Sequence, residues 1–147
     1  MKGIVTYIDT SSLLKLFIRD EHSEAVISAI QNETAVVVSP LTELEASVQL
    51  RGLHLGGSMG NARYLRMRER LAETMASHPF LIRPLASRVF STALTQYSQS
   101  SIQCRSLDRL HLAAMEELAL RRLMTHDERQ AEAARELGYE VVMPGVG

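Results

Sequence analysis

The sequence predicts an α/β protein: a three-layer α/β/α fold around a small, mainly parallel sheet of four or five strands. Three observations predict it. Short apolar or β-branched runs at residues 4–8, 35–38 and 139–143 alternate with longer helical segments, the order that gives a parallel sheet covered on both faces. The second run, Ala-Val-Val-Val, is apolar throughout rather than alternating, as in a strand buried from both sides. The helical segments outnumber the strands, so the sheet is small. At 147 residues the chain is expected to form a single domain over residues 1–147 with a core of its own.

Taken in order, residues 4–8 read as a buried strand, followed by Asp9 and three hydroxyl residues, Thr10, Ser11 and Ser12. Any of the three can cap the helix that the Leu/Phe pattern predicts through Phe17. Asp9 has two readings: a cap, or a site residue at the carboxyl end of a strand, where open α/β sheets bind ligands. After the polar break at residues 19–22, residues 24–30 form a second helix. Ser39 caps and Pro40 begins the helix that follows the 35–38 strand, and that helix is expected to end at Gly52. Residues 52–60 (GLHLGGSMG) are a helix–helix connection; no strand precedes them and no Gly-Lys-Ser/Thr follows, against a phosphate-cradling loop. Residues 63–75 are an amphipathic helix with Tyr64, Met67, Leu71 and Met75 on one side. Its ridge of Arg63, Arg66 and Arg70, with Arg68 beside it, is either a solvated face or a surface for RNA or an acidic partner. Residues 80–82 are a weak strand and residues 86–97 a helix. Residues 106–120 are strongly helical with Ser106 as N-cap, and a short apolar run at residues 123–124 is closed by Thr125-His126-Asp127. The helix at residues 128–137 stops at Gly138, a C′ glycine, before the last strand, residues 139–143.

Hydrophobic residues at 46% and charged residues at 22% are globular values. A formal net charge of −1 does not announce a nucleic-acid binder, yet fourteen of the sixteen cations are Arg, the side chain suited to bidentate phosphate contacts. Cys104 is the single cysteine, which fits a reducing, cytoplasmic setting. No stretch approaches the length that spans a bilayer, and Asp9 interrupts the first apolar run too early for a signal peptide.

Four carboxylates carry the chemistry. Asp9 and Asp127 each follow a short strand and precede a helix, so a parallel sheet brings them to one edge. Asp108 lies in the first turn of its helix beside Leu112 and Met115, inside an apolar arc. On a wheel of about 100° per residue with Leu41 at zero, Leu44, Val48, Gly52 and Leu55 form the stripe expected to face the sheet. Glu45 falls at about 40°, inside that stripe, and Glu43 at about 200°, on the far side, where Ala46, Leu50 and Leu53 form a second apolar stripe that is the alternative inward face. Each acid alone can be a helix-start residue favoured by the macrodipole; four at one sheet edge point to a shared cation. Carboxylate oxygens without Cys or paired His suit Mg²⁺ or Mn²⁺. His111 falls on an apolar stripe and is read as a buried, hydrogen-bonded histidine, and His126 as structural with possible access to substrate. No Ser-His-Asp or Cys-His arrangement is present.

The stretches Tyr7 to Leu16, Leu107 to Ala114, Met124 to Asp127 and Ala131 to Val141 together resemble the landmarks of PIN-domain ribonucleases, and among those the VapC-like toxins of bacterial type II toxin–antitoxin pairs. The resemblance spans roughly residues 5–144. It implies a PIN-like fold, Mg²⁺- or Mn²⁺-dependent hydrolysis of RNA phosphodiester bonds, inhibition by a cognate antitoxin, and a homodimer. Asp9, Glu45, Asp108 and Asp127 match the family's acidic quartet as catalytic and metal-binding residues, with Ser11 and Thr125 in support. Arg109 and His126 depart from it, standing where a small residue and an aromatic are common. A catalytically silent PIN-like module that binds protein or RNA is the alternative. A receiver-like phospho-acceptor domain is disfavoured, since Thr10 follows Asp9 and no Lys occurs beyond Lys15. Leu13, Leu16, Phe17, Val26, Ile27 and Ile30 offer more apolar surface than two short helices need, and part of it is expected to form a groove for an amphipathic segment of the antitoxin.

Overall fold

In the computed structural model, which describes residues 5–147, five strands form one parallel sheet: β1 (Val5–Ile8), β2 (Ala35–Val38), β3 (Phe80–Ile82), β4 (Arg122–Met124) and β5 (Glu140–Val142). Ile4, the expected start of the first strand, lies outside the described residues. The strand order is β3-β2-β1-β4-β5, and every neighbouring pair is parallel. The helices are α1 (Thr10–Leu13), α2 (Ser23–Gln31), α3 (Pro40–Leu55), α4 (Asn61–Met75), α5 (Val89–Gln99), α6 (Ser106–Glu117) and α7 (Glu128–Glu136).

Alternate side chains along the strands feed two cores, as the period of two requires. Ile8, Val36, Val38 and Met124 pack under α1 to α4. Tyr7, Val37 and Leu123 pack under α5 to α7. This is the expected three-layer arrangement, with all four residues of β2 buried. The chain runs from β1 outward through β2 to β3, then returns to the other side of β1 for β4. That reversal opens a crevice between the carboxyl ends of β1 and β4, where open α/β sheets hold their ligands. The Asp9 N–H donates to the Met124 carbonyl at 3.1 Å, so Asp9 and Thr125 emerge side by side. No helix among the described residues is long and apolar enough to cross a membrane.

Several expectations are corrected. The first helix starts at Thr10, with Asp9 rather than a hydroxyl residue as its N-cap, and gives way to a 3-10 turn over Leu14–Leu16. Helix α3 passes through Gly52 to Leu55. The backbone turns left-handed at Gly57 (φ 87°), and the Ser58 and Met59 N–H groups return to the Leu53 carbonyl. A glycine inside a helix weakens it by about 1 kcal/mol without stopping it; a left-handed residue past the last turn does stop it. Helix α6 has Arg105 at its N-cap, with Ser106 as its first residue, and ends at Glu117, because Ala119 takes φ 57°.

The phase of α3 also differs. Thr42, Ala46 and Leu50 face inward, while Leu44, Val48 and Leu55 stand 60–70% exposed. Small residues at 42 and 46 let the helix approach closely, and the Thr42 hydroxyl is satisfied by the Ser39 N–H. The second apolar stripe of the wheel, Ala46, Leu50 and Leu53, is thus the inward one. Nor is the expected antitoxin groove present as drawn. Leu13, Phe17, Val26 and Ile30 are buried in the chain's own core with Tyr64, Leu71 and Met75 of α4, leaving Leu16 and Ile27 only half-exposed.

Candidate active site

A cleft of about 100 Å³ at the crevice beside β1 is lined by Asp9, Glu45, Asp108 and Asp127, together with Gln49 and Arg105. The four sequence-predicted acids are thus brought together from β1, α3, α6 and the turn after β4. A larger hollow of about 470 Å³ between α5 and α6, lined by residues such as Phe90, Leu94 and Tyr97, contains no acid, so the chemistry belongs to the smaller cleft.

Asp9 is the deepest of the four, 4% exposed. Its Oδ1 accepts from the Ser11 hydroxyl at 2.6 Å and the Ser12 N–H at 3.3 Å. Its Oδ2 accepts from the Thr125 hydroxyl at 2.6 Å. Burial raises its pKa above the ordinary carboxylate value, against the lowering effect of Ser11 and Thr125. Ser11 and Thr125 also tie the turn together. The His126 N–H donates to Ser11 Oγ at 2.9 Å, and the Asp127 N–H donates to Thr125 Oγ1 at 3.0 Å. Both hydroxyls therefore hold Asp9 in place.

Asp127 caps α7 with Oδ1, accepting from the Arg129 and Gln130 N–H groups at 2.9 and 3.0 Å. Its Oδ2 is 3.4 Å from the guanidinium of Arg105, and Asp108 meets the same guanidinium at 3.0 Å. One cation thus bridges two of the acids. Glu45 accepts on Oε1 from Thr10 Oγ1 at 3.1 Å and from His111 Nε2. Burial pushes its carboxyl up, but the His111 bond, Thr10 and Arg105 outweigh that and leave it below the ordinary value. Glu43 is exposed and lines a separate hollow beside α4, so Glu45 is the acid in the cleft, although the stripe used to select it is not the buried one.

His111 is buried and hydrogen-bonded as expected. His126 turns away from the cleft: Nε2 donates to the Pro144 carbonyl at 2.8 Å, Nδ1 meets Ser12 Oγ at 2.7 Å, and the ring stacks on His22. Burial lowers its pKa first of all. Arg109 likewise leaves the cleft, its guanidinium reaching Gln96 and Ser100 at 3.4 and 3.0 Å. The two departures from the family pattern thus lie outside the site. Sequence reasoning missed Arg105, Thr10 and Gln49. The i, i+3 spacing of Arg105 and Asp108 was a usable signal for the first.

Among the described residues no three His, Cys, Asp or Glu side chains converge as a ready-made metal-binding group. The donors nevertheless suit one. They are all hard carboxylate oxygens, one is buried at an electrostatic penalty, and a guanidinium already stands between two of them. A divalent ion would compete with Arg105 for Asp108 and Asp127.

Comparison with known proteins places these features. The PIN domain family matches residues 6–136. Ribonuclease VapC46 of Mycobacterium tuberculosis is 32% identical over 140 residues, covering 94% of this chain and 96% of the relative. Ribonuclease VapC35 of the same species is 32% identical over 145 residues, covering 95% and 96%. Among solved structures, Mycobacterium tuberculosis VapC20, described as a Sarcin-Ricin loop cleaving toxin, superposes with a TM-score of 0.72 at 15% identity, covering 95% of this chain and 99% of that one. A toxin–antitoxin complex from Klebsiella pneumoniae gives 0.65 at 18% identity, covering 95% and 97%. At those identities the two structures speak for the fold.

Proposed function

Because the chain belongs to the PIN-domain family, we propose that it is a divalent-metal-dependent endoribonuclease, the toxin of a toxin–antitoxin pair, acting as a homodimer in the cytoplasm. The observation that carries this reading is the gathering of four carboxylates from four separate elements into one cleft. Asp9, Asp108 and Asp127, with Glu45, are the residues that would hold Mg²⁺ or Mn²⁺. Such an ion, when bound, lowers the pKa of a water and stabilises the charge that builds at phosphorus. Ser11 and Thr125 keep Asp9 aimed by donating to both of its oxygens. Arg105, drawn off Asp108 and Asp127, offers a planar guanidinium matched to a substrate phosphate.

The relatives are named ribonucleases and one neighbour is described as a toxin–antitoxin complex, which supports RNA as substrate and an antitoxin as partner. The homodimer is supported by apolar faces left uncovered: Leu44, Val48 and Leu55 on α3, and Phe90, Leu94 and Tyr97 on α5. A second reading, a catalytically silent binding module, draws on Arg105 already neutralising two acids.

One experiment separates them. The purified chain is incubated with structured RNA in Mg²⁺, in Mn²⁺ and in EDTA, beside Asp9→Asn. Cleavage that needs the metal and is lost in Asp9→Asn supports the nuclease. Cleavage unchanged in Asp9→Asn sinks the proposed site, and RNA binding without cleavage in either metal favours the silent module.

A further inference from the structure

Behind the cleft a chain of hydrogen bonds runs from the sheet to Glu45. The Tyr7 hydroxyl is 2.6 Å from His111 Nδ1 and 2.9 Å from Ser39 Oγ, and His111 Nε2 meets Glu45 Oε1. Tyr7 and His111 are 0% and 1% exposed, so water does not compete for these partners. The donors can be assigned by chemistry. An ionised carboxylate only accepts, so His111 carries its hydrogen on Nε2 and donates to Glu45. A ring carrying that single hydrogen presents Nδ1 as an acceptor placed to take the Tyr7 O–H, which leaves the Tyr7 oxygen open to accept from Ser39. In that arrangement the links run from Ser39 through Tyr7 and His111 to Glu45.

We propose that His111 is a positioning residue for Glu45, with Tyr7 selecting the Nε2–H tautomer that makes the contact. This rests on the nuclease reading of the cleft. Both protein donors to Glu45, His111 and Thr10, land on the same oxygen, which leaves Oε2 to serve the cleft. Without them Glu45 is a long side chain on a helix surface with three rotatable bonds, and its carboxylate samples several places. His111 lies three residues after Asp108 on α6, on the same side of the helix. One helix therefore supplies one acid directly and aims another from α3. Tyr7 lies two residues before Asp9 on β1, so the strand that presents the deepest acid also sets the tautomer that aims the third element. A histidine oriented by a hydrogen bond at its far nitrogen is the usual way a carboxylate–imidazole pair is tuned from outside the site.

The test uses Tyr7→Phe, which removes only the hydroxyl, and His111→Gln, whose amide keeps a donor within reach of Glu45. In the metal-free protein, long-range ¹H–¹⁵N correlation reads the His111 tautomer directly. The wild type is expected to show the Nε2–H pattern, and Tyr7→Phe a mixture of both tautomers. Calorimetric Mn²⁺ titration is expected to show about 10- to 100-fold weaker binding in Tyr7→Phe, the range for losing such an outer partner, with partial recovery in His111→Gln relative to His111→Ala. Single-turnover RNA cleavage should fall in the same order while RNA affinity holds. An Nδ1–H wild-type pattern overturns the inference, as does Mn²⁺ affinity unchanged in both Tyr7→Phe and His111→Ala while only melting temperature drops. If the wild type cleaves no RNA at all, the nuclease reading fails, and the tautomer and Mn²⁺ results still decide the role of His111.

Discussion

Replacing Glu45 by Gln keeps the shape of the side chain and removes its charge. Both protein donors, Thr10 Oγ1 and His111 Nε2, reach Oε1, so the single carbonyl oxygen of Gln can accept both. What changes is that two charge-assisted bonds, about 1.5–3 kcal/mol each, become neutral ones of about 0.5–1.5. The gross loss is about 2 kcal/mol, and relief from burying a charge offsets part of it. A domain of this size then loses at most about 4–8 °C of melting temperature. Glu43, exposed in the hollow beside α4, should change stability by no more than about 0.5 kcal/mol when replaced by Gln. The pH dependence has a definite sign. The folded carboxyl of Glu45 lies below its ordinary value of 4.5, so its contribution is complete above that value and disappears as the pH falls through the depressed one. The deficit of Glu45→Gln against wild type should therefore be full at neutral pH and vanish in acid. Cleavage is affected far more than stability, because a preorganised charge aimed at the reacting centre is worth about 100-fold or more in rate. Thermal unfolding across pH, paired with single-turnover cleavage of a fluorescent RNA in Mn²⁺, checks both halves. A Glu45→Gln protein that cleaves like wild type, beside an inactive Glu43→Gln, would refute the assignment of the second acid.

Three further outcomes are expected. Arg105 is largely exposed and its ion pairs are worth only about 0–1 kcal/mol, but it competes with a metal for Asp108 and Asp127; Arg105→Ala should bind Mn²⁺ up to about fivefold more tightly while binding RNA more weakly, and looser Mn²⁺ binding by calorimetry would contradict this competition. The raised folded-state pKa of Asp9 favours its protonated form, so its contribution is complete below the ordinary value of 3.8 and is lost as pH rises through the raised one; melting curves should show that loss in EDTA and its removal by saturating Mg²⁺, and identical pH profiles with and without metal would argue against cation binding at Asp9. Leu94 stands 66% exposed on α5, so Leu94→Glu should leave the melting temperature of the subunit nearly unchanged yet convert a dimer to a monomer by light scattering; a dimer that persists moves the interface elsewhere.

The sequence alone determined the architecture, because the signals involved are local. An unbroken apolar run such as Ala35–Val38 is tolerated only in a strand covered on both sides, and strands separated by helices pair in parallel. Asp9 and Asp127 were legible for the same reason, since chain direction alone sends the ends of parallel strands to one edge. Ser11 and Thr125 came with them, through resemblance rather than through spacing. What the tertiary structure decided is everything that depends on which side of a helix faces inward and on what crosses from a neighbour. Thr42 and Ala46, small enough to let α3 approach closely, turned it so that Leu44 and Val48 point outward, and Leu13, Phe17, Val26 and Ile30 went into the core instead of a groove. His126 found the Pro144 carbonyl, and Arg109 found Gln96 and Ser100, taking both out of the cleft. Tyr7 and His111 are 104 residues apart and joined at 2.6 Å. Neither residue's own sequence neighbourhood contains the other, so the hydrogen bond that orients Glu45 exists only once β1, α3 and α6 have packed.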